Sequence, residues 1–119
     1  MKTKEELQQE IKDEKDWATS IILQEIEDNI KNRMQNCEAY CLVDTAKFEH
    51  WNAEYGLKLS IPKVFDDVVS KLKESNYDVM KVEWKKRRKS YTCILIWISD
   101  NLTQDNKENI LKNEIRPNR

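Results

Sequence analysis

At 119 residues the chain has room for one domain and not two, and a composition of 36% charged and 39% hydrophobic residues with one Gly and two Pro favours long helices over a β-sandwich. A formal net charge of −1 excludes a polyanion binder acting through its whole surface, but the charge is unevenly placed: Met1 to Ile30 holds nine acids against four lysines, and Lys81 to Lys89 six bases against Glu83 alone. Three cysteines without a C-x-x-C pair, no apolar leader, and a longest apolar run (Cys93 to Ile98) too short for a bilayer predict a cytoplasmic protein that does not enter membranes.

Thr3-Lys4-Glu5-Glu6 fits a capping box, in which the Thr hydroxyl and the Glu carboxylate each satisfy an orphan backbone donor. A long helix follows, with Leu7, Ile11, Ala18, Ile22, Ile26, Ile30 and Met34 near helical spacing and Trp17 and Ile21 widening the stripe. Up to Asp16 the stripe holds only Leu7 and Ile11, too thin to bind a core firmly, and Asp16 can cap a second start. The spacing therefore predicts a break or fraying near Lys15, with residues 1–16 as an arm that a partner or a second copy orders. Cys37 to Val43 alternates Cys37, Ala39, Cys41 and Val43 against Glu38, Tyr40 and Leu42, as a short strand does. Phe48, Trp51 and Tyr55 predict a short helix over Asp44 to Tyr55, ended by Gly56 in the left-handed region, its aromatics packed in the core, with a recognition surface as the alternative reading. Ser60-Ile61-Pro62 opens another helix, lined by Val64, Phe65, Val68 and Leu72 and stopped at Asn76.

The next stretch reads as a β-hairpin, 79–84 with 91–99, whose tip is Lys85-Lys86-Arg87-Arg88-Lys89-Ser90. Met80, Val82 and Trp84 share one face of the first arm, and Lys81, Glu83 and Lys85 the wet one. The second arm is apolar on both faces, Ile94, Ile96 and Ile98 on one and Tyr91, Cys93, Leu95 and Trp97 on the other, which places it mid-sheet with cover on each side. A short helix from about Asp105 to Ile115 ends the chain. The fold class is α+β: about three antiparallel strands packed by helices, with a long N-terminal helix. The divisions are an arm over 1–16, one domain over 17–102, and a C-terminal helix or tail over 103–119.

Five adjacent cations at a hairpin tip repel one another unless spread into water or set against phosphates, and Trp84 and Tyr91 offer flat faces for stacking on bases. The candidate binding residues are Trp84, Lys85, Lys86, Arg87, Arg88, Lys89 and Tyr91. The plainer reading is a solubilising turn that guards a sheet edge, and a third is a contact for an acidic protein surface, including the acidic helix of another copy. Glu83-x-Lys85 with Asp78 upstream is similar to the E-x-K of metal-dependent nucleases. There, however, the Asp and the E-x-K sit on neighbouring strands, whereas Asp78 and Glu83 share one and point to opposite faces. Cys37, Cys41, His50 and Cys93 have the ligand types of a zinc site, but Cys37 and Cys41 on one strand face lie about 13 Å apart. His50 lacks an orienting group at recognisable spacing, and one Gly cannot build a phosphate loop. No catalytic residue, metal or cofactor is expected.

The order helix, strand, helix, hairpin, with Asn76-Tyr77 at a helix stop, Val79-Met80-Lys81-Val82 as a strand and Leu95-Ile96-Trp97 closing the next, is similar to a class of small bacteriophage and mobile-element proteins over Ala18 to Ser99. Asn replaces the Gly of that class at the helix stop, and Thr45 to Ser60 is longer than its pattern. The resemblance implies a small accessory factor that binds a host macromolecule or a signalling nucleotide, and it carries over no functional residue. The expected function is thus a non-catalytic binding protein, a homo-oligomer, that sequesters or inhibits a host protein or a phosphate-bearing ligand. The alternative is a nucleic-acid binder acting through 85–89.

Overall fold

The computed structural model describes residues 1–48, 54–56, 58–113 and 115, and at positions 46, 47, 84–86 and 89–91 the backbone alone. The elements are α1 (Lys4–Gln35), β1 (Tyr40–Asp44), a 3-10 turn (Thr45–Phe48), α2 (Ile61–Glu74), β2 (Asp78–Lys86), β3 (Lys89–Trp97) and α3 (Gln104–Asn113). They form the expected α+β architecture, a three-stranded antiparallel sheet with a long N-terminal helix.

Thr3 caps α1 as its sequence predicts, Oγ1 accepting from the Glu6 N–H at 3.1 Å. The expected break near Lys15 is absent: no Gly or Pro interrupts Lys4–Gln35, and Lys15 Nζ reaches Asp67 of α2 at 3.0 Å, so Asp16 is mid-helix. Ala18, Ile22, Ile26 and Ile30 are buried, while every residue before Lys15 is exposed. Thr19 is buried with them, and its Oγ1 has no hydrogen-bond partner among the described residues.

The helix ends in a Schellman motif: the Cys37 N–H donates to Met34 O at 3.1 Å and the Glu38 N–H to Arg33 O at 3.0 Å, with Cys37 at φ 55. That motif corrects the strand expected from Cys37, because the left-handed residue turns the chain and β1 begins only at Tyr40. α2 ends the same way at the predicted Asn76, at φ 68, with the Tyr77 N–H on Leu72 O at 3.1 Å. Val64, Phe65, Val68 and Leu72 are its buried face, as their spacing predicts. The helix expected over Asp44 to Tyr55 lies mostly at 49–53, with Trp51 and His50, outside the described residues. Phe48 is buried against Phe65, and Gly56 takes φ 67.

Strand order is β1-β3-β2, so the doubly apolar β3 is central as expected. Cys41 pairs with Ile96 and Val43 with Ile94, and with Val79 they pack against α1 and α2. The opposite face carries Leu95 and Trp97 with Tyr40, Leu42 and Val82, covered by Leu102, Ile110, Leu111 and Ile115. None of the residues within α3 is buried, so this second cover is thin. Lys81 and Glu83 lie on the face that α1 and α2 pack against, yet stay exposed, because β2 is an edge strand and Lys81 pairs with Asp66 at the rim of α2. No described helix is long and apolar enough to cross a membrane.

Candidate functional site

Two-residue hairpin loops are the commonest because their primed turns match the twist of the flanking strands, and the tip is tighter than its sequence predicts. Trp84 pairs with Tyr91, Lys85 with Ser90 and Lys86 with Lys89, leaving Arg87-Arg88 as the whole turn. β3 in turn stops at Trp97 instead of Ser99, where the Ile98 and Ser99 N–H groups both donate to Ala39 O, at 2.9 and 3.2 Å.

By alternation along the strands, Trp84, Lys86, Lys89 and Tyr91 hold positions on one face, and Lys85 the other. Six of the seven candidate residues are therefore gathered at the tip or on one side of it, and Lys85 is set apart. Lys86 and Lys89 are in register across the ladder. Between them Arg87 stands at φ 58 and Arg88 is not in the left-handed region, the φ pattern of a type II′ turn whose first central position ordinarily takes Gly. A side chain held at such a position costs about 1–3 kcal/mol. Both arginines are exposed and neither makes an ion pair among the described residues. The turn therefore sets two exposed arginines side by side, the first of them in a strained backbone conformation.

The other sequence candidates are not brought together. Asp78 is opposite Trp97 and gives its carboxylate to Lys107 Nζ at 3.0 Å, while Glu83 is on the other face, so the two cannot share an ion. Cys41 and Cys93 are buried on opposite faces of the sheet, Cys37 is exposed at its turn, and His50 lies outside the described residues. Burial pushes the Cys93 thiol up to about 12, the Asp44 carboxylate adding to it, and burial raises Cys41 as well. Both are thiols held neutral, the reverse of an activated nucleophile.

One constellation escaped the sequence. Trp17 and Tyr55 meet edge to face, ring centroids 5.3 Å apart, and with Asp13 and Glu14 they line a shallow hollow. Tyr55 is 50% exposed, which corrects its expected place in the core beside Phe48, and Trp17 is 42% exposed. The only signal was the aromatic flank that Trp17 and Ile21 add to the α1 stripe; that Tyr55 joins it is a tertiary fact. A second hollow at the other end of the sheet has Lys107 Nζ over the Trp97 ring, 5.4 Å from its centroid. No protein-family model, no curated protein and no solved structure matches the chain.

Proposed function

We propose that this is a non-catalytic binding protein whose contact element is the β2–β3 tip and whose ligand bears phosphate. The observation that carries the reading is Arg87: an arginine where the turn wants glycine, beside Arg88 and between two lysines paired across the ladder. A turn whose only task was to close the hairpin would relieve that strain with Gly or Asn, and an observed backbone outlier points towards function. Arginine forks match phosphate oxygens in two-point contacts, and adjacent cations release counterions on binding them. In the accessory-factor setting that the sequence resembles, the protein would act in the cytoplasm by sequestering or inhibiting a host macromolecule or a signalling nucleotide. Nucleic acid is the alternative within the same chemistry, favoured by the positions of Trp84 and Tyr91 opposite each other at the base of the tip.

Fluorescence anisotropy with a labelled single-stranded oligonucleotide, competed by free nucleotides, tests this directly. Binding should weaken steeply with salt, and Arg87→Ala with Arg88→Ala should reduce the log–log salt slope by about 1 per lost phosphate contact. Competition by nucleotides favours sequestration, and its absence favours nucleic acid. A salt-independent interaction, or none with either ligand, would remove the phosphate reading.

A further inference from the structure

The hollow on α1 has an assortment of groups that suits one kind of visitor. Asp13 and Glu14 supply two carboxylates, and Trp17 and Tyr55 a pair of half-exposed rings at right angles. A guanidinium uses both at once, charge-assisted bonds to the acids and stacking or cation–π contact with the rings. Ile21, 40% exposed, borders the hollow one turn further on, and Leu7 and Ile11, at 47% and 59% exposure, carry the Ala18–Ile22 line bare into the arm. We propose that, when no phosphate ligand occupies the tip, this hollow receives the arginines of the hairpin tip of a second copy of the chain, forming a two-fold dimer.

The second copy is identified by charge and by position. Arg33 is engaged with Glu38 at 3.1 Å, whereas Arg87 and Arg88 are exposed without an ion pair among the described residues. A molecule's own tip does not serve, because Trp17 lies roughly 140° around α1 from Ile22, which faces the sheet. The neighbouring molecule's tip does. Lys15 bonds Asp67 and Lys81 bonds Asp66, so the α1 arm and the free end of the hairpin leave the body at one level of α2. β2 and both long helices run in opposite directions, since α1 and α2 each turn tightly into the strand that follows, so arm and tip project from the same end.

From that level the arm rises about 15 Å and the tip about 20 Å. That end carries the Asp13–Glu14 hollow on one half and the Arg87–Arg88 turn on the other, and a two-fold rotation sets each on its opposite, the self-complementarity an isologous contact needs. Pairing arm against antiparallel arm lacks it, because the acidic edge Glu6, Glu10 and Asp13 would face its own copy.

The test is sedimentation equilibrium of the full chain at low and high salt, without any oligonucleotide, so that its outcome is separate from the phosphate reading. The parent should be a dimer that high salt dissociates. Asp13→Lys with Glu14→Lys, and separately Arg87→Glu with Arg88→Glu, should each associate at least tenfold more weakly, and their equimolar mixture should recover the dimer because both contacts regain opposite charges. Asp13→Asn with Glu14→Gln provides a milder variant of the same face, with circular dichroism showing parental helix content. A monomeric parent, dimers that survive both reversals, or a mixture that stays monomeric would overturn the proposal.

Discussion

Arg87 shares its left-handed backbone with two other non-glycine residues among those described, Cys37 and Asn76. Cys37→Gly should stabilise the fold by about 1 kcal/mol, and Asn76→Gly by less, because Asn visits that region at lower cost. Arg87→Gly should also raise the urea midpoint, but it should lower affinity for the oligonucleotide. Opposite signs in the two assays would tie the strain to binding; a neutral effect on affinity would make it incidental. Asn76 was legible as a helix stop because its side chain is known to favour the left-handed turn, whereas nothing in a cysteine marks Cys37 for the same duty. The thiols give a pH expectation. Cys93 is held neutral up to about 12 while an unfolded thiol ionises near 9.0. Stability from this group is therefore intact below the lower value and lost as pH climbs towards the higher. Denaturant unfolding from neutrality to about pH 11 should show that fall, and Cys93→Ala should flatten it.

Among elements, β3 is where sequence and structure agree most fully, since Ile94, Leu95 and Ile96 are all wholly buried in the middle strand. Ile96→Ala should cost about 2–5 kcal/mol by chemical denaturation, the range for a large-to-small change in a packed core. α1 is two things on one rod. Its second half is core, whereas the residues before Lys15 are exposed and tied mainly by Thr3 capping and a Lys2–Glu10 surface pair. Removing 1–12 should therefore leave the thermal midpoint within a few degrees of the parent, since exposed helix turns and surface pairs add little. The thin stripe before Asp16 was visible in the sequence. That the helix nonetheless runs through was not, because capping preference is local and the Lys15–Asp67 contact is not.

At the scale of the molecule, a radius of gyration of 16.5 Å exceeds the roughly 13.5 Å of a compact chain this long. The extents of 57 × 35 × 21 Å follow from the length of α1, about 48 Å for its 32 residues. The central place of β3 could be read in advance because its apolar run is long on both faces, whereas β2 keeps Lys81 and Glu83 in water. The side on which the helices pack, and the meeting of Trp17 with Tyr55, could not, since neither leaves a period in the sequence. Deleting 104–119 should uncover Leu95 and Trp97 and increase binding of a hydrophobic dye, with far-ultraviolet helicity otherwise kept.

The ladder that joins Cys41 to Ile96 also orders events in time. β1 has no neighbour to lie beside until the last strand has been synthesised, so during translation the Ile22, Ile26 and Ile30 row has only α2 to cover it and waits for the sheet. A nascent chain in that interval offers an oily helix to whatever is nearby, and shielding by a chaperone would matter most at that moment.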